Sequence, residues 1–232
     1  MVKKEANKKE AVKHIFKLLL MTTIGIGLFF AAAGTLNDMR GNIYVSIYFI
    51  SSVISNVLLF FCNQNAFIER GKKRGNTKKW DKFLLPTILL LTGCVLFFIA
   101  GLGIRFDWDK LPIEYFYAGI ILYLSSVIFS VWAVLKNKHF EATSRIQDDR
   151  MQVVVTSGPY KIVRHPGYAG TIFLAIASYL VFGTLPIGVV SFLIIVIFWI
   201  RTYLEDKMLK DELAGYLEYS QTVKYRLIPF IW

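Results

Sequence analysis

The sequence predicts an all-α polytopic membrane protein of about six transmembrane helices that includes a C-terminal helical hairpin. Three observations predict it. First, 55% of the 232 residues are hydrophobic and only 19% are charged. A soluble domain of this length carries more charge and has too little interior for so much apolar surface. Second, the apolar residues gather in blocks close to the roughly 20 residues that cross a hydrocarbon core. Third, lysine and arginine concentrate in alternate connecting segments, as they do when successive helices cross a bilayer.

In chain order the expected spans are 15–36, 43–62, 83–104, 115–135, 168–182 and 187–204. The first follows a basic segment, as in a signal peptide. Its apolar run is long and no small-residue cleavage site follows, so it reads as a retained helix. The fifth is short, and Gly183-Thr184-Leu185-Pro186 follows it. That is a tight hairpin, with Pro186 suited to the start of the next helix.

Lys3, Lys4, Lys8, Lys9, Lys13 and Lys17 precede or open the first span. Arg70, Lys72, Lys73, Arg74, Lys78, Lys79 and Lys82 follow the second, and Lys136, Lys138, Arg145, Arg150, Lys161 and Arg164 follow the fourth. The intervening connections hold only Arg40, Arg105 and Lys110. The expectation is a bacterial plasma-membrane protein with both termini in the cytoplasm. The net charge of +11 is thereby a topology signal rather than a nucleic-acid footprint. Cys62 and Cys94 form neither a disulfide framework nor a metal cluster and are expected to be buried and inert. The division expected is 1–140, four spans, and 141–232, a catalytic region with the hairpin and a cytoplasmic tail.

The polar residues of that second region are ordered in a pattern. Ser157-Gly158-Pro159-Tyr160 is a turn signal. Arg164, His165 and Pro166 arrive where the fifth helix begins, and Pro166 suits its first turn. The unpaired N–H groups there favour an anion. Gly167 and Gly170 leave the helix surface bare, so a ligand or another helix can approach. An interfacial anchor explains the same residues, with Arg164 snorkelling and Tyr160 and Tyr168 in the aromatic belt. Farther on, Arg201 and Glu205 stand one turn apart with Asp206 beside them, the spacing of an ion pair at a helix end. Tyr216 and Tyr219 stand three apart on a short helix, and Tyr225–Trp232 mixes Arg226 with apolar and aromatic residues.

Taken together, Gly158-Pro159-Tyr160, Arg164-His165-Pro166-Gly167-Tyr168-Ala169-Gly170, Arg201, Glu205-Asp206, Tyr216-x-x-Tyr219 and Arg226-Leu227-Ile228-Pro229 resemble the isoprenylcysteine carboxyl methyltransferase family and its bacterial relatives. Arg145-Ile146-Gln147-Asp148-Asp149-Arg150 resembles the bacterial members too. The resemblance covers residues 141–232. It departs at Asp206, where the family has a second Glu.

The resemblance implies S-adenosyl-L-methionine as cofactor and no metal. It implies cofactor binding by Gly158, Pro159, Tyr160, Arg164, His165, Pro166, Tyr168, Gly170, Glu205 and Asp206, with His165, Arg201 and Glu205 as catalytic residues. The chemistry fits. A carboxylate suits Arg164, His165 or helix-start N–H groups. Ribose hydroxyls and an amino group suit Glu205 and Asp206. Adenine suits a slot of Tyr160, Tyr168 or Tyr216. The expected enzyme is a membrane O-methyltransferase for a lipophilic or lipid-linked acceptor, such as the carboxylate of an isoprenylcysteine-like compound. Two other readings compete. An NADPH-dependent sterol-type reductase shares an Arg-x-Pro-x-Tyr element, but usually has Asn before the Tyr, where this chain has Gly167. A non-enzymatic scaffold binding anionic lipid leaves the ordered polar residues unexplained.

Overall fold

The computed structural model describes residues 2–71 and 76–232. Lys72, Lys73 and Arg74 of the second basic segment lie outside the described residues. The helices are α1 (Val2–Ala33), α2 (Met39–Cys62), α3 (Gln64–Gly71), α4 (Asp81–Arg105), α5 (Ile113–Lys136), α6 (Pro166–Phe182), α7 (Leu185–Glu212) and α8 (Tyr216–Thr222). Five contain a stretch long and apolar enough to cross a membrane: Glu10–Ala33 of α1, and α2, α4, α5 and α7. The sixth expected span is α6, of 17 residues, and no strand occurs among the described residues. The protein is a polytopic membrane protein, and residues 151–155 form irregular chain.

Helix ends follow local chemistry. α1 stops three residues before the expected Leu36 because Gly34 takes a left-handed conformation, φ +67°. The Asp38 carboxylate caps α2, accepting from the Gly41 N–H at 2.7 Å. α4 carries Pro86 and, one turn later, a π-helical turn at Leu91–Val95. Gly183, φ +69°, ends α6, and Pro186 opens α7 in the expected hairpin.

Where lipid surrounds a bundle, helices associate by close packing rather than by escape from water. Two crossings show it. A Cβ at Gly101 of α4 would sit 2.3 Å from the Phe29 carbonyl of α1, and one at Gly119 of α5 would sit 2.9 Å from Val181 of α6. Phe29, Tyr44, Phe97 and Phe182 fill the centre, joined by Ile187 and Ile194 of α7. The Tyr44 hydroxyl meets Ser178 Oγ at 2.9 Å, which satisfies both inside the bundle.

The polar connections meet at one end. The Lys78 N–H bonds the Ser144 carbonyl, Lys78 Nζ lies 2.6 Å from Glu212 Oε1, and the Arg164 N–H reaches the Tyr225 carbonyl. At the opposite end Arg40 and Arg105 cap loose carbonyls, those of Leu111 and Ala31. Burial of both cysteines is not observed: Cys62 is exposed at the end of α2 and Cys94 half-buried in the π-helical turn. Each is a free thiol, Cys62 on the outward face of its helix.

Candidate functional site

The start of α6 and the end of α7 are joined through one carboxylate. Pro166 occupies the first turn of α6, and the His165 carbonyl accepts from the Tyr168 and Ala169 N–H groups. The Arg164 and His165 N–H groups bond the Tyr225 and Arg226 carbonyls, laying the C-terminal tail across the helix start. Asp206, 1% exposed, sits beneath. It accepts from Arg164 Nε at 2.7 Å and Nη2 at 3.0 Å, from the Tyr216 hydroxyl at 3.0 Å and from Arg226 Nε at 3.0 Å. His165 Nε2 is 3.4 Å away. Arg164 Nη1 donates to the Val223 and Lys224 carbonyls. Burial opposes the Arg164 charge, but Asp206 outweighs it and the guanidinium pKa is raised. Burial and then Asp206 push the Tyr216 phenol up as well, keeping it a donor.

Glu205 points elsewhere, because successive helical residues diverge by about a quarter turn. It is half-buried and accepts from the Tyr168 hydroxyl and Ser144 Oγ, each at 2.5 Å. No cation pairs with it among the described residues. The ion pair expected between Arg201 and Glu205 does not form. Arg201 Nε instead donates to Asp81 Oδ1 at 2.7 Å, and Asp81 Oδ2 accepts from the Ser144 N–H at 2.7 Å. Asp81 is wholly buried and takes the direct contact, while the Glu205 charge acts on Arg201 from farther away. The guanidinium also lies over the Tyr168 ring, 4.9 Å from its centroid.

Between these groups and the irregular segment 137–155 opens a cleft of about 790 Å³, counting its mouth. One wall carries Arg164, His165, Pro166, Gly167, Tyr168, Glu205 and Tyr216; the other carries His139, Glu141, Ser144, Gln152 and Val153–Val155, with Tyr160 at the base. The His165 and Tyr168 rings stack, 9° from parallel with centroids 5.7 Å apart. Burial raises the Tyr160 phenol, which accepts from Asn137 Nδ2 at 3.0 Å.

Six of the residues expected at the cofactor therefore line the cleft: Tyr160, Arg164, His165, Pro166, Tyr168 and Glu205. Five of those expected at the site do not line it. Asp206 and Arg201 lie behind the wall as anchors. Gly158, φ +62°, makes the turn that packs on Trp132 and Lys136, and Pro159 is buried below it. At Gly170 a Cβ would lie 2.0 Å from Ser130 Oγ of α5, so helix packing takes the bare surface. Arg164 lines the cleft, but Asp206 and two carbonyls occupy most of its donors.

Three residues escaped sequence reasoning. Asp81 and Ser144 carry no local signal, since their partners are distant in the chain. His139 is 6% exposed, lines the cleft, and has no hydrogen-bond partner at either ring nitrogen. Gln147 lies beside it but donates to the His139 carbonyl and accepts from Arg150. Burial, then Arg150 and Lys138, lower the imidazole pKa.

Residues 115–214 match the phospholipid methyltransferase family. No curated protein sequence matches the chain. The match spans α5 to the end of α7 and includes every cleft-lining motif residue except the tyrosines of α8. Over this region the chain is similar to the membrane methyltransferases of the isoprenylcysteine carboxyl methyltransferase type, whose members generally use S-adenosylmethionine.

Proposed function

We propose that this protein is a membrane methyltransferase that binds S-adenosyl-L-methionine in the cleft between segment 137–155 and the α6–α7 junction and transfers its methyl group to a lipophilic acceptor. The observation that carries the reading is Glu205: a carboxylate at the cleft wall, held by Tyr168 and Ser144, with no cation at ion-pair distance among the described residues. The group suited to it is a ligand ammonium or a pair of ribose hydroxyls. The aromatic faces of Tyr160, Tyr168 and Tyr216 suit a purine. His165 and the Gly167 N–H, which has no intrahelical acceptor at the helix start, suit the methionyl carboxylate. Arg164 contributes by fixing the tail rather than by direct contact.

The cofactor, when bound, supplies a sulfonium-activated methyl group. The protein's part is to exclude water and to align acceptor and methyl in line. An isoprenylcysteine-like carboxylate needs no base, which makes O-methylation the favoured chemistry. For a protonated acceptor the proton goes to His165 or Glu205, which line the wall at the α6–α7 junction. Residues 1–140 provide the membrane platform and 141–232 the chemistry. The basic segments support a cytoplasmic position for both termini and the cleft at a bacterial plasma membrane, with the acceptor arriving laterally from the bilayer. No nucleic acid is involved.

Calorimetry on the detergent-purified chain tests this. S-adenosylmethionine and its demethylated product are expected to bind, and NADPH is not. His165→Ala and Glu205→Gln each remove a charge-assisted hydrogen bond of about 1.5–3 kcal/mol, roughly a ten- to hundred-fold weakening. Lys17→Gln, on the exposed face of α1, is expected to bind like the parent. NADPH binding with neither sulfur compound bound would transfer the assignment to the reductase class.

A further inference from the structure

The two ring nitrogens of His165 face different surroundings. Nε2 lies 3.4 Å from Asp206 Oδ1 and 3.3 Å from the Tyr216 hydroxyl. The Tyr216 proton is committed to Asp206 Oδ1, at 3.0 Å, because a carboxylate only accepts. The phenol oxygen therefore meets Nε2 as an acceptor too. With two acceptors facing Nε2, the hydrogen of a neutral ring belongs there and the lone pair belongs on Nδ1. Nδ1 has no hydrogen-bond partner within the protein, and it is not sealed in as both ring nitrogens of His139 are. The ring lines the cleft, its plane held by stacking on Tyr168.

The charges around this ring are unequal. Asp206 of α7 pairs with Arg164 ahead of α6, with Arg226 of the tail, and with Lys210 one turn along α7, whose Nζ is 3.4 Å from Oδ2. Glu205 accepts from Tyr168 and Ser144 on the other side of α7, and Tyr216 of α8 is a donor to Asp206. One carboxylate thus serves three cations before His165 is counted. A fourth cation, an imidazolium, gains a carboxylate of its own only when a ligand brings one.

We propose that Asp206 and Tyr216 are positioning residues that keep the Nε2 proton turned inward, and that cofactor binding draws one proton from solvent onto Nδ1. The inference rests on the reading that the methionyl carboxylate lies at His165 and the Gly167 N–H. The bound ring is then an imidazolium between two carboxylates, that of Asp206 and that of the ligand. Its Nδ1–H donates a charge-assisted hydrogen bond to the ligand, whereas a neutral ring would present a lone pair to the same carboxylate. With Nδ1 so engaged, Glu205 is left to take the proton from an acceptor that carries one. The cleft selects ligands that bear the amino-acid carboxylate, and holds them less tightly as pH rises, by up to about tenfold per pH unit for one linked proton.

The chain contains three histidines, His14, His139 and His165, so isotopic labelling of histidine nitrogens leaves three rings to resolve by magnetic resonance. His165→Gln identifies its ring by the loss of signal. In the full chain in detergent at about pH 8, where bulk imidazole is neutral, His165 is expected to carry hydrogen on Nε2 with Nδ1 bare. With saturating S-adenosylhomocysteine both nitrogens are expected to be protonated. Calorimetry in buffers of different protonation enthalpy is expected to find about one more proton taken up by the parent than by His165→Gln; the ligand's amino group counts equally in both. Tyr216→Phe leaves Asp206 in place and is expected to keep the inward proton, whereas Asp206→Asn is expected to lose the bound imidazolium. A hydrogen on Nδ1 alone in the free protein, a bare Nδ1 in the complex, equal proton uptake with and without His165, or a bound imidazolium that persists in folded Asp206→Asn would each overturn the inference and leave the cofactor reading standing. Failure of S-adenosylhomocysteine to bind the parent would overturn that reading and the inference with it.

Discussion

The helices before residue 113 and the region after it solve the same problem by different means. In α1, α2 and α4 the contacts are apolar and geometric: Gly101 meets the Phe29 carbonyl, Tyr48 meets Phe97 edge to face, and the few polar groups close within a turn or across to a neighbouring hydroxyl. After α5 the chain is held by buried charge. Asp206 gathers Arg164, Arg226, Tyr216 and His165, and Asp81 reaches from the foot of α4 to hold Arg201. The difference teaches where precision is needed. Dispersion tolerates small adjustment, whereas a bidentate arginine fixes distance and direction. The ionic contacts lie directly behind the wall that carries His165, Tyr168 and Glu205.

The sharpest way to break this contrast is to empty the hub. Asp206→Ala leaves buried Arg164 without its carboxylate, and a loss of about 3–5 kcal/mol is expected. Thermal unfolding in detergent checks it, and release of the C-terminal tail should be seen as faster proteolysis after Val223. Asp81→Asn comes next. The Ser144 N–H keeps an acceptor but Arg201 loses its charge partner, so about 2–3 kcal/mol is expected. Because Ser144 also holds Glu205, this variant should bind cofactor less tightly than its stability alone explains. A parental binding constant would break the proposed link from α4 to the cleft.

A smaller effect is expected in the apolar region. Gly101→Ala forces α1 from α4, since the new methyl meets backbone, and overpacking of this kind costs about 1–3 kcal/mol. Unfolding should be affected while cofactor binding in the surviving folded protein is not. The smallest effect concerns His139. Its pKa is lowered by burial and then by Arg150 and Lys138, so in acid the unfolded chain takes up its proton before the folded one. Stability from the neutral ring is present above about pH 6.5 and is lost as pH falls through the lower folded value. His139→Gln should flatten that acid decline in a melting-temperature series from pH 7.5 to about 5. An unchanged slope would remove His139 from the pH response.

The sequence by itself determined the class of fold and the number of apolar helices, because bilayer thickness acts on each segment alone. Pro166, Gly183 and Pro186 marked the hairpin correctly because caps and turns are local chemistry. The motif residues Tyr160, His165, Tyr168 and Glu205 were legible through their order along the chain. Tertiary structure alone decided which of two adjacent acids faces the cleft: Glu205 and Asp206 differ by a step of helix phase, which composition does not register. It alone decided that Arg201 answers to Asp81, 120 residues away, and that Gly170 makes room for Ser130 rather than for a ligand. It also brought His139 to the cleft wall. Each of these depends on which helix faces touch, and in a bilayer nearly every face is apolar, so hydrophobic pattern marks the spans without telling their inner sides from their outer ones.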